Sequence, residues 1–192
     1  DPSSPSHGTS MVQTFFNGLQ AATQGSTSVQ VLSVDVYGPN ASTSTFDVAM
    51  GIIQARNRGA NVINLSLGSA ADSPVLYDVI SALARENVPI FAAAGNEPTT
   101  TPFFPAAYPG VMAVTALDHG EIASYANRGS FVSVAAPGTS MIYYNGRPWF
   151  VVGTSAASAY TAGLAAGRME TTGSSPQAVQ DFIRQMMGFG GK

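Results

Sequence analysis

The sequence predicts an α/β domain, a doubly wound and mainly parallel sheet covered by helices on both faces. Three observations lead there. Segments with helical apolar spacing alternate with strand-like apolar runs along the chain. Those runs, VQVLSVDVY, NVINLSLG and VPIFAAAGN among them, are nearly continuous rather than alternating, as in strands buried on both faces. A length of 192 residues with 45% hydrophobic content suits one domain with a substantial core.

Each element has a local reason. Gly8 to Ala22 reads as a helix, with Met11, Val12, Phe15, Phe16 and Leu19 at helical spacing. Val29 to Tyr37 is rich in β-branched residues and reads as a strand. Thr45 to Arg58 is helical and stops at Gly59, a residue suited to a left-handed cap. A strand over Asn61 to Gly68, a helix over Pro74 to Glu86 and a strand over Val88 to Asn96 follow. Val111 to Leu117 and Phe131 to Gly138 are two further strands. MIYYNGRPWFVV is a hairpin turning at Asn145-Gly146. Ser155 to Met169 is a helix of small residues, and Ser174 is expected to cap a last helix with Pro176 in its first turn.

Composition narrows the function. Charged residues are only 10% of the chain and net charge is -3, with no basic run, so a nucleic-acid partner is not expected. Cysteine is absent, which removes disulfides and thiolate metal sites. No stretch is apolar and long enough to span a bilayer. No Gly-rich phosphate fingerprint follows a strand, so nucleotide binding gains no support. The chain opens at Asp1 without a signal peptide, as a processed or a trimmed chain does, and together with sparse charge and absent cysteine this leads to an expectation of secretion.

In such sheets, ligands sit beyond the carboxyl ends of the strands. SHGTS, AAGN and GTSAAS fall there or at helix starts. Ser155 opens a helix, where a serine is either an ordinary cap or a nucleophile; a nucleophile needs a base and oxyanion donors. Asn96 ends an apolar strand, as a turn residue or as a carboxamide donor. His7 begins a helix, while His119, in LDHGE, reads as a polar surface turn. Each feature alone has an ordinary structural explanation.

Together they resemble the subtilisin-like serine peptidases over almost the whole chain. SHGTS and GTSAAS match that family's His-Gly-Thr and Gly-Thr-Ser blocks. NVINLSLGS, VPIFAAAGNEP and PAAYPGVMAVTALD match three more, in order. The resemblance implies that His7 is general base and acid, that Ser155 forms an acyl-enzyme, and that Asn96 and the Ser155 N–H form the oxyanion hole. It implies that Ser66, Leu67 and Gly68 pair with an extended peptide, with Ala93, Ala94 and Gly95 walling the pocket beside them. Phe103 falls where the family often has glycine at the pocket bottom, so small substrate side chains are expected. No cofactor is implied. The loop before VQVLSVDVY is too short for the family's calcium site, so no metal is expected there.

There are departures. Ala159 and Tyr160 stand where Pro and often His are usual, Ala156 stands for Met, and Ser10 to Gln13 replaces His-Val-Ala-Gly. The largest concerns the triad aspartate, which the family carries on a strand well upstream of the histidine. Asp1 is too close to His7, and Asp35 matches a non-catalytic position. The resemblance therefore implies that the aspartate and its strand come from a companion N-terminal polypeptide, released by nicking in the Pro/Ser-rich loop before SHGTS. Its strand would lie between VQVLSVDVY and NVINLSLG, so residues 1–192 form the C-terminal major portion of the domain. The expected function is a serine endopeptidase acting on peptides or proteins. The alternatives are a silent relative that binds peptides or scaffolds an assembly, and an unrelated doubly wound binding domain.

Overall fold

A computed structural model of the protein describes residues 3–23 and 25–189. Its main sheet is built on four parallel strands, β1 (Ile63–Leu65), β2 (Ile90–Ala93), β3 (Val111–Asp118) and, beyond the short β4 (Glu121–Ile122), β5 (Val134–Pro137). They lie in the order β1-β2-β3-β5, with β4 antiparallel on the end of β3. The register places Ile63 beside Ile90, Ile90 beside Val111 and Val114 beside Val134, so apolar residues stack across the middle of the sheet. β6 (Thr139–Tyr144) and β7 (Arg147–Val152) form a separate hairpin. Asn145 and Gly146 both take positive φ at its tip, 50° and 72°, as a type I′ turn demands.

Helices cover both faces, as the sequence predicts. α2 (Thr45–Asn57) and α3 (Pro74–Arg85) close one face over Val48, Ile52, Leu76 and Ile80. α4 (Thr154–Thr172) and α5 (Pro176–Met187) close the other over Phe91, Met112, Val114 and Val134, with α1 (His7–Thr23) packed on α4. Caps fall one residue from the sequence reading at α5. Ser175, not Ser174, accepts from the Ala178 N–H at 3.3 Å, because Pro176 at the first helical position holds the residue before it extended. Asn87 and His119 sit in turns with positive φ, and His119 is exposed beside Asp118, in line with a surface turn.

One predicted strand is not formed. Residues 29–35 carry no ladder hydrogen bonds, and most of this segment is exposed despite its β-branched composition. Its end is anchored where Val34 and Val36 lie against Gly51 of α2. Between the segment and β1 runs a groove of about 1330 Å³, reached from His7, Met11, Val31, Ser33, Asn64 and Ser66. Propensity cannot make a strand without a neighbour to exchange N–H···O=C bonds with, and this segment has none among the described residues.

Candidate functional site

Two helix N-termini are brought together by parallel packing. Gly163 of α4 lies on the Phe15 backbone of α1, and further along Gly167 lies on Leu19 and Ala22. Contacts advance in the same direction on both helices, so α1 and α4 run parallel and start at the same end of the sheet. His7 opens α1, where the Ser6 hydroxyl accepts from the Thr9 N–H at 3.1 Å. Ser155 stands in the first turn of α4, after Gly153 at φ 144°, a backbone angle that favours glycine.

β1 completes the meeting point. The Ser66 carbonyl, just beyond the strand, lies 3.1 Å from His7 Nε2 and accepts from Ser155 Oγ at 3.3 Å. Since a carbonyl oxygen only accepts, His7 carries its proton on Nε2 in this arrangement. Ser66 Oγ donates to the Ser155 carbonyl at 2.9 Å and accepts from Asn64 Nδ2 at 3.0 Å. Asn64 Oδ1 in turn accepts from Ser158 Oγ at 2.7 Å, so a polar chain ties β1 to the first turns of α4.

Asn96 approaches from the end of β2. Its Oδ1 accepts from both the N–H and the hydroxyl of Thr154, at 2.9 and 3.0 Å, and the Thr154 hydroxyl accepts from the Gly95 N–H at 3.1 Å. With Oδ1 engaged twice, the carboxamide is oriented and its Nδ2 remains as the donor. The Ser155 N–H, in the first helical turn, lacks the partner that the helix interior supplies, and the helix dipole adds positive potential there.

Sequence reasoning brought His7, Ser155 and Asn96 to one place, and the structure does the same. It missed Thr154, Asn64 and Ser158. Thr154 lay within the quoted GTSAAS block, and Asn64 was a polar residue inside an apolar strand run, a signal that a buried partner must exist. Ser66 to Gly68 continue past β1, and Ala93 ends β2 with Ala94 and Gly95 just beyond it, all three buried. Phe103 is half-buried against Gly68 and Gly95. Asp35 is occupied locally: its carboxylate accepts from the Tyr37 and Gly38 N–H groups at 2.9 and 3.0 Å. Asp1 lies outside the described residues. Among the described residues, no cluster of three His, Asp or Glu side chains could hold a metal ion, and no helix is long and apolar enough to cross a membrane.

Fold and site together define an α/β protein that collects a serine hydroxyl, an imidazole and an oriented carboxamide at the strand ends. The subtilase family model matches residues 1–187, and the chain belongs to that family. Among curated proteins, it is 39% identical over 140 residues to a thermophilic serine proteinase of Bacillus sp. strain AK1, covering 71% of this chain and 35% of that one. It is 34% identical over 142 residues to subtilisin Savinase of Lederbergia lenta, covering 72% and 53%. Among solved structures, the prenylagaramide maturation protease PagA superposes with a TM-score of 0.67 at 31% identity, over 73% of this chain and 56% of that one. The patellamide maturation protease PatA gives 0.68 at 28% identity, over 86% and 69%. The chain thus spans about a third to a half of the two curated relatives.

Proposed function

We propose that this chain is the larger part of a serine endopeptidase, with Ser155 as nucleophile, His7 as general base and then acid, and Asn96 in the oxyanion hole. The observation that carries the reading is the convergence of His7 Nε2 and Ser155 Oγ on the single oxygen of Ser66. Ser155 Oγ attacks the scissile carbonyl as its proton passes to His7, and the negative oxygen forms within reach of Asn96 Nδ2 and the Ser155 N–H. Collapse expels the amine, which takes the proton from His7 and leaves an ester on Ser155. Water, deprotonated by His7, then attacks the ester; the acid product leaves as Ser155 Oγ takes the proton back from His7.

For this the imidazole must present a lone pair, not an N–H, at Nε2. A carboxylate accepting from Nδ1–H enforces that tautomer, and its loss costs roughly 10⁴ in kcat. The groove between residues 29–36 and β1 supports an aspartate-bearing strand at this place, since both of its walls are extended backbone that can exchange hydrogen bonds with it. That strand is supplied N-terminal to this sequence, in the same polypeptide or in a companion one. Peptides or proteins are the substrates, and an extracytoplasmic location goes with the sparsely charged composition.

A silent, peptide-binding relative is the second reading, favoured by the hydrogen bonds that engage both His7 Nε2 and Ser155 Oγ with the Ser66 carbonyl rather than with each other. A fluorophosphonate probe separates the two. Labelling of Ser155 by the native protein, abolished by His7→Ala, is the expected result; an unlabelled but folded protein carrying its upstream strand refutes the peptidase.

A further inference from the structure

Asn96 stands in an exposed turn, yet the backbone on both sides of it is held from inside the protein. β2 ends at Ala93, the Ala94 N–H makes a last bond to the Val114 carbonyl at 2.9 Å, and residues 96–98 bend away beyond the sheet. Thr154 grips the Asn96 carboxamide, but a side chain is only as well placed as the backbone that carries it. Here that backbone turns at Gly95, whose φ of 109° favours glycine.

One buried residue holds the bend. Asn127, in the connection between β4 and β5, is 1% exposed. Its Nδ2 donates to the Ala94 carbonyl at 2.8 Å and its Oδ1 accepts from the Glu97 N–H at 3.0 Å. Its backbone N–H donates to the Gly95 carbonyl at 3.0 Å, so the three bonds flank Asn96. Asn127 is itself fixed to the sheet, since its carbonyl accepts from the Thr115 hydroxyl of β3 at 2.6 Å. It packs so closely that a methyl group at Gly95 would overlap Nδ2. Asparagine offers a donor and an acceptor on one short side chain. Aspartate would set an oxygen against the Ala94 carbonyl, and alanine would remove both side-chain bonds.

Resting on the peptidase reading, we propose that Asn127 is a positioning residue for the oxyanion hole, locking residues 94–97 so that Asn96 Nδ2 meets the charge developing on the substrate carbonyl oxygen. Such a donor acts through a distance set before the reaction, and a misplacement of about 1 Å corresponds to as much as ~100-fold in rate. Thr154 orients the carboxamide, and Asn127 sets the backbone from which it projects.

The test uses the native protein carrying its upstream strand. The substrate is p-nitrophenyl acetate, which has no side chain to place in a pocket, and Ser155→Ala gives the background to subtract. Asn127→Ala is expected to lower kcat/KM about 10- to 100-fold. In an Asn96→Ala background the same change is expected to cost less than about threefold, because the group it places is gone. A merely structural defect would slow both backgrounds alike. Equal losses in the two backgrounds, or an unchanged rate in a folded Asn127→Ala protein, overturn the inference. Should Asn127→Ala fail to fold, the same cycle run with Asn127→Asp, which keeps the size and the acceptor, decides. An unaltered protein without Ser155-dependent hydrolysis, or an Asn96→Ala variant as fast as the unaltered protein, overturns the peptidase reading, and this inference with it.

Discussion

Gly163 of α4 presses on the backbone of Phe15 in α1 so closely that a methyl group there would overlap the Phe15 carbonyl oxygen and lie 2.9 Å from the Leu19 nitrogen. Gly18 makes the reciprocal approach to Tyr160. This contact sets the distance between two helices whose first turns carry His7 and Ser155. Small residues in α4 therefore bear on the geometry of the proposed active site from further along the helix.

Gly163→Ala tests this. The added methyl meets main-chain atoms that cannot rotate away, so α1 must shift, at a cost of about 1–3 kcal/mol or more. The expected outcome is a lower urea midpoint and slower labelling of Ser155. Gly8→Ala, whose methyl would meet only Ser6 Oγ at 4.0 Å, serves as the stability control and is expected to leave the midpoint unchanged or higher. A Gly163→Ala protein as stable as the original would refute the tight approach.

The Thr154 clamp leads to a second expectation. Asn96→Ala removes a donor whose loss in subtilisin, a member of the same family, lowers kcat on the order of 10²–10³. Thr154→Val keeps Asn96 and the backbone N–H bond to its Oδ1, but removes the hydroxyl bond to Oδ1 and leaves the Gly95 N–H without its acceptor. One lost hydrogen bond of about 1–1.5 kcal/mol corresponds to roughly tenfold in kcat. KM is expected to hold, since the bond orients a group that acts on the developing charge. Thr154→Ser, which retains the hydroxyl, is expected to restore the rate; equal defects in the Ser and Val variants would exclude a positioning role.

The sequence made the parallel sheet legible because strands buried on both faces are mostly apolar, and β1, β2, β3 and β5 follow that rule apart from Asn64, Thr115 and the exposed Asp118. The site was legible only through the order of several blocks, since His7, Asn96 and Ser155 each have an ordinary explanation in isolation. Residues 29–37 show the limit. Their β-branched content describes a surface fit for a sheet, yet pairing depends on a neighbour that local composition does not specify. Thr154, Asn64 and Ser158 escaped for a related reason. Their roles come from hydrogen bonds spanning 58 and 94 residues of sequence, which no local pattern encodes.

The wall formed by residues 29–36 is tethered at its start by one carboxylate. Glu170 of α4 accepts from the Thr27 hydroxyl at 2.5 Å, the Ser28 N–H at 2.5 Å and the Ser28 hydroxyl at 2.6 Å. These bonds favour the ionised form, the Ser28 hydroxyl contributing most, and hold the Glu170 carboxyl below its ordinary value of 4.5. A carboxyl whose folded value is lowered contributes stability above the unfolded value and loses it as pH falls through the folded one. The tether is therefore expected to be intact at neutral pH and to release at acid pH, below the ordinary glutamate range. Cleavage within residues 25–38 by an acid-tolerant protease is expected to rise as the pH falls through that range. Glu170→Gln cannot carry the charge, so its cleavage is expected to be fast already at neutral pH and to change little on acidification. Identical pH profiles for the two proteins would show that Glu170 does not hold this edge of the groove.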